Sequence, residues 1–249
     1  MSEARLIDTG LRNARWNLAM TAALAASQRP RVGDITLRLQ RFPSSVLIGR
    51  HQRLEAAVRP ERCRQSGVEI ARRPTGGGAV YMAQASLAWD VIADRQRFAG
   101  RLDTAAAAIG QGAARGLARL GAAAEFAAPG DIRVEQRKLC GTSGYIDGDA
   151  LVLQGTVLIE FDPAPMAAVL VLPHSEAAAL GSRLIGLGEI LGRMPDAGEV
   201  ESALAAGIGA SLGVDFVPGL PRAQEIALAD RLYATEFGRD AFVAGEELV

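Results

Sequence analysis

The chain has 249 residues, 49% of them hydrophobic and only 5% aromatic, with a formal net charge of −1. That length and apolar share support one large folded unit whose core is filled by Ala, Leu, Val and Ile. Near-neutral charge excludes general attraction to nucleic acid or membrane surfaces, and two widely spaced cysteines, Cys63 and Cys140, exclude a disulfide framework or a zinc motif. With His51 and His174 as the only histidines, a histidine-rich metal site is not expected. Met1-Ser2-Glu3-Ala4-Arg5 lacks the pattern of a signal peptide, and no apolar stretch reaches membrane-spanning length. The expectation is a soluble, cytoplasmic protein.

In chain order, residues 5–9 and 34–41 are predicted strands, the second alternating apolar and polar residues. Between them Asn13 is placed to cap a helix to about Ala26, with Trp16, Met20, Ala23 and Leu24 on one face. Ser45 to Arg50 reads as a short buried strand, followed by His51, a candidate pocket residue. Residues 55–66 are predicted helical, and Val68 to Ala71 a strand. Strands follow at 78–82 and 87–93, then an alanine-rich helix at 103–120 whose Gly110, Gly112 and Gly116 predict close packing on a sheet. After two strands within 130–144, a long strand runs from Ala150 to Phe161, interrupted at Gln154-Gly155-Thr156 by a bulge or a close ligand approach. Helices are predicted at 163–171, 196–212 and 221–237. No internal repeat breaks the chain, so one domain over 1–249 is the economical reading.

Two clusters carry chemistry. In Arg72-Arg73-Pro74-Thr75-Gly76-Gly77-Gly78-Ala79-Val80, three glycines let backbone approach a ligand with no Cβ between them. Consecutive N–H groups in such a turn form an anion nest, and a guanidinium pairs bidentately with carboxylate or phosphate. The second cluster runs from Gly130-Asp131 through Lys138 to Gly141-Thr142-Ser143. Lys138 is the single lysine among 27 basic residues. Arginine suffices elsewhere, so a position kept as lysine points to a need for a compact ammonium.

Four motifs in order, Ser-Val-Leu-Ile-Gly-Arg-His-Gln, Arg-Arg-Pro-Thr-Gly-Gly-Gly-Ala-Val-Tyr, Asp-Ile-Arg-Val…Arg-Lys-Leu-Cys-Gly-Thr-Ser and Gln-Gly-Thr-Val-Leu, resemble the lipoate–protein ligase A family over about residues 5–212. The resemblance implies an α/β (α+β) catalytic domain, a mixed central sheet flanked by helices, shared with biotin ligases and octanoyltransferases. It implies that lipoate and ATP, with Mg2+, give lipoyl-AMP and pyrophosphate, and that the lipoyl group then passes to a lysine of an acceptor, a lipoyl domain or an H-protein-like carrier. By the motif match, Lys138 would be catalytic and touch the α-phosphate and carbonyl oxygen. Arg72 would hold carboxylate or phosphate oxygens, and Asp131 would help hold Mg2+. Gly76, Gly77, Gly78, Ala79, Val80, Gly141, Thr142, Ser143, Gly155, Thr156 and Arg183 would bind substrate and adenylate.

The chain departs from the pattern where Met82-Ala83 replace the family's His-Asp, Gln154 its histidine and Gly130 its asparagine. The sequence ends about where the family's C-terminal accessory domain would begin, so that domain is expected as a separate subunit or as dispensable. Two alternatives stand beside the ligase. One is an octanoyl or lipoyl transferase working through a cysteine thioester, for which Cys140 beside Lys138 is the available thiol. The other is a non-catalytic subunit that binds the lipoyl carrier. A biotin ligase fits less well, because its glycine-rich loop differs.

Overall fold

The computed structural model describes residues 2–28 and 34–246; the remainder of the expected 1–249 unit lies outside the described residues. The strands are β1 (Ser2–Leu11), β2 (Ile35–Arg41), β3 (Ser45–Ile48), β4 (Glu69–Arg72), β5 (Val80–Met82), β6 (Leu87–Asp94), β7 (Ala124–Ala127), β8 (Asp131–Val134), β9 (Arg137–Asp147), β10 (Ala150–Val157) and β11 (Val214–Gly219). The helices are α1 (Ala14–Ala26), α2 (Leu54–Ala57), α3 (Pro60–Gln65), α4 (Leu102–Arg119), α5 (Pro163–Val169), α6 (His174–Ala178), α7 (Leu180–Arg183), α8 (Leu187–Leu191), α9 (Ala197–Leu212), α10 (Ala223–Leu232) and α11 (Asp240–Ala244). No helix among the described residues is long and apolar enough to cross a membrane.

A mixed eight-stranded sheet runs in the order β11-β1-β2-β6-β10-β9-β8-β7, and a small sheet in the order β4-β3-β5. The period-2 alternation of β2 sorts its side chains between two buried faces. Leu37 and Leu39 join Trp89, Val91, Leu151 and Leu153 in the main core under α4 and α9. Arg38 and Gln40 point the other way; both are buried, and α1 covers Arg38. Asn13 caps α1 by accepting from Trp16 N at 2.8 Å. Met20, Ala23 and Leu24 are buried on the sheet, with Trp16 packed beside them.

The structure corrects several expectations. Gly110 does face the sheet, where a Cβ would come within 2.4 Å of the Phe126 ring. Gly112 and Gly116 instead meet α9: a Cβ would lie 2.9 Å from Gly207 O and 2.2 Å from Ala203 O. Those glycines set how closely the two helices approach. The helix expected over 55–66 splits into α2 and α3, because Pro60 has no N–H to continue a helix and Val58 bridges to Leu170. The strand expected to reach Phe161 stops at Val157. Strand β11 was not foreseen. Its Pro218 and Gly219 argue against a central strand, but β11 is an edge strand paired only with β1, where proline is tolerated.

Candidate active site

The small sheet stands over the polar face of the large one, and a cavity of about 620 Å3 opens between them. Leu18, Phe42, Leu47, Met82 and Ala88 form an apolar wall. Gln40, Asp90 and Gln154, from three adjacent strands, add a polar row, and the loop joining β4 to β5 closes one side. Gly76, Gly77, Gly78, Ala79, Val80, Asp131, Lys138, Gly141, Thr142, Ser143, Gly155, Thr156 and Arg183 all line this cavity. Two motifs about sixty residues apart therefore share one space.

The two adjacent arginines part company here. The resemblance points to Arg72 as the anion holder, but its guanidinium faces away from the cavity. It donates to Gly49 O, Arg50 O and Gln52 O at 3.1, 2.8 and 2.8 Å, and to Phe242 O and Val243 O. Five carbonyls accept from it and it does not line the cavity, so Arg72 is a clamp between a turn and α11. Arg73 lines the cavity instead. It is 6% exposed and donates to Thr75 Oγ1, to Gly76 O, to Gly78 O at 2.7 Å and to Ser143 Oγ at 3.3 Å. All of these acceptors are neutral. Burial with no compensating carboxylate lowers its pKa to about 10, so it remains a cation at neutral pH. A buried cation held only by neutral groups is electrostatically incomplete, and an anion entering the cavity would complete it.

The glycines serve different ends. Gly76 and Gly78 have nothing within 4 Å of a Cβ position, so their backbone lies open. Gly77 adopts φ +91°, which L side chains rarely take, and its carbonyl sits 2.1 Å from where a Cβ on Gly49 would be. The Gly49 turn thus buttresses the glycine loop. At Gly141 a Cβ would come within 2.6 Å of Lys138 Cε and Nζ, so this glycine makes room for the ammonium. Gly155 is not a bulge, since β10 pairs with β6 and β9 without a register shift, but it does line the cavity. Its missing Cβ makes room for the Trp89 indole, 2.2 Å away.

Lys138 Nζ pairs with Asp131 Oδ1 at 2.7 Å, and Arg133 donates to Asp131 Oδ2 at 2.8 Å. Partial burial raises the Asp131 pKa, but the bonds and charges of Lys138 and Arg133 outweigh it and hold the carboxyl below its usual range. Both oxygens are engaged by cations. Among the described residues no group of three His, Cys, Asp or Glu side chains could hold a metal. Asp131 lines the cavity and positions Lys138; Mg2+ there would need further oxygen donors, which the phosphates of a nucleotide would supply. Arg183 reaches the cavity mouth because Leu184 bridges to Lys138 and Ile185 N donates to Lys138 O at 3.1 Å. His51 does not line the cavity.

Neither thiol is available. Cys140 is fully buried and Cys63 is 1% exposed; neither lines the cavity. Burial pushes the Cys140 thiol up to about 12, against the opposing charge of Lys138. Desolvation overrides the effect expected from the neighbouring ammonium. Cys63 is likewise pushed up by burial.

The sequence reading also passed over the polar row. Asp90, fully buried, accepts from Thr21 Oγ1 at 2.7 Å, Gln40 Nε2 at 2.8 Å and Gln154 Nε2 at 2.9 Å, and pairs with buried Arg38 at 3.4 Å. An aspartate inside an otherwise apolar strand was the available signal. A second cavity, of about 630 Å3, lies by β1, β11 and α10. Its buried Glu225 is already held by both terminal nitrogens of Arg5, at 2.9 and 2.8 Å.

The fold is that of lipoate and biotin ligase catalytic domains. A bi-partite lipoate protein ligase from Thermoplasma acidophilum superposes over the full length of both chains with TM-score 0.90 at 24% identity. A lipoate-protein ligase A bound with ATP superposes with TM-score 0.89 at 25% identity, covering 98% of this chain and 99% of the other. Residues 13–209 match the lipoyl protein ligase A/B catalytic domain, and the chain belongs to that family. Among curated relatives it is 28% identical to the octanoyltransferase LipM of Kyrpidia tusciae, covering 94% of this chain and 96% of the relative. It is 29% identical to lipoate-protein ligase A subunit 1 of T. acidophilum, covering 90% and 91%.

Proposed function

We propose that this chain is an ATP-dependent lipoate–protein ligase, with residues 1–249 as one catalytic domain. The observation that carries the reading is a cavity lined by four cationic groups, Arg73, Arg133, Lys138 and Arg183, with no thiol among its described lining residues. Arg73 and the open backbone at Gly76 and Gly78 receive the carboxylate and phosphate oxygens. The lipoate carboxylate attacks the α-phosphorus of ATP. A C–O–P link forms, the bond to the β-phosphate oxygen breaks and pyrophosphate leaves. Lys138 follows the charge that builds on the α-phosphate and then on the carbonyl oxygen. Asp131 and the space at Gly141 hold its ammonium in place. Thr142, Ser143, Thr156 and Arg183 line the rest of the adenylate site. The acceptor lysine, as the free amine, then attacks the carbonyl carbon. An amide forms, AMP departs and the amine proton passes to solvent.

The similarity to LipM favours a second reading, acyl transfer from a carrier. Transfer through a cysteine thioester needs a reachable thiolate, and neither Cys63 nor Cys140 supplies one. The acceptor is a lipoyl domain or a similar carrier, and the named bi-partite relative supports a separate accessory subunit for this chain. The test is incubation with lipoate and magnesium ATP, with and without a lipoyl domain. Release of pyrophosphate supports the ligase. Acyl transfer from an octanoyl carrier without nucleotide, with no pyrophosphate, would replace it with the transferase.

A further inference from the structure

The inner part of the cavity is more polar than a slot for a plain hydrocarbon chain requires. Gln40 is 1% exposed and lines the cavity, and its Oε1 has no hydrogen-bond partner among the described residues. The amide cannot turn over to cure this. Its Nε2 donates to Asp90 Oδ2 at 2.8 Å, an oxygen that also accepts from Thr21 and Arg38, so a turned amide would set its carbonyl oxygen against an acceptor. The orphan is therefore an acceptor, and its complement is a donor.

Its place in the sheet says which part of a substrate it meets. Ser143, which contacts Arg73, pairs with Gln154; Gln154 pairs with Asp90; and Gln40 lies on the next strand, β2. From the Arg73 end to Gln40 the cavity crosses three interstrand spacings, about 14 Å. A medium-chain acid with its carboxylate at Arg73 would bring its distal half to Gln40.

We propose that Gln40, fixed by Asp90 and Gln154, forms a polar subsite that accepts a hydrogen bond from the distal half of the acyl chain. The preferred substrate is then a medium-chain acid bearing an O–H or S–H there, such as a hydroxyoctanoate or the dithiol form of lipoate, over octanoate. The proposal rests on the cavity being the acyl site, as the ligase reading has it.

Titration calorimetry without nucleotide tests it apart from catalysis, using octanoate, 8-hydroxyoctanoate, 8-methoxyoctanoate and dihydrolipoate. The donor-bearing acids should bind about three- to tenfold more tightly than octanoate, and the methoxy acid, with similar bulk and no donor, should not. In Gln40→Met the order should reverse in favour of octanoate. Octanoate or the methoxy acid binding as tightly as the hydroxy acid to the wild-type protein overturns the subsite, as does binding of none of the acids. Absence of pyrophosphate release with the acids bound would remove the ligase and leave the subsite standing.

Discussion

Two buried guanidiniums, Arg38 under α1 and Arg73 at the glycine loop, have pKa values lowered to about 10, chiefly by burial. Arg38 is nonetheless compensated. Asp90 faces it, and Thr9, Asn17 and Thr21 also accept from it. Arg73 has hydroxyls and carbonyls alone. The same desolvation thus supports a closed lattice in one place and an anion-seeking charge in the other. What separates them is the partner set, not burial or sequence context.

Breaking the compensated pair should give the largest effect. Asp90→Ala leaves Arg38 charged and unpaired in the interior, and a loss of about 3–5 kcal/mol is expected in urea unfolding. Removing the uncompensated charge should act on function instead. Arg73→Met should lose far less stability in the same titration but slow adenylate formation about a hundred- to a thousandfold. Equal destabilisation by the two variants would end the contrast.

Lys138→Arg sharpens it further. The space opened by Gly141 fits an ammonium, and a guanidinium is broader and planar. The variant should fold and slow single-turnover pyrophosphate release about a hundred- to a thousandfold. A wild-type rate would make Lys138 a mere surface charge.

The smallest effect belongs to Cys140. Cys140→Ser should keep most acyl-transfer activity, and a trapped thioester in the wild type would revive the transferase. Its folded pKa of about 12 lies above the ordinary thiol value of 9.0. The unfolded chain therefore releases this proton first. The thiol's contribution to stability is full below about pH 9 and declines as pH rises towards 12. Comparing urea midpoints of wild type and Cys140→Ser across that window should show a steeper decline in the wild type.

Most of the sheet was legible because its strands carry strong apolar runs, and the cavity because glycine triplets and a lone lysine are rare local signals. What escaped depended on long-range partners. Nothing local distinguishes Arg72 from Arg73; strand alternation turns one towards α11 and the other into the cavity. Met82-Ala83 and Gln154 stand out in the sequence only as departures from the family pattern. Met82 became apolar wall, whereas Gln154 joined a network anchored by Asp90, which an apolar strand had disguised. Gly155 does line the cavity, but its second role was hidden because the indole that needs the space comes from another strand.

The clamp at Arg72 has a consequence for biosynthesis. Its guanidinium joins the Gly49–Gln52 turn, which supports Gly77, to the carbonyls of Phe242 and Val243. Those carbonyls lie some 170 residues downstream of the arginine. During vectorial synthesis the glycine loop emerges early, but its buttress is incomplete until α11 has left the ribosome. The nascent chain thus carries the parts of its cavity long before it can fix their shape.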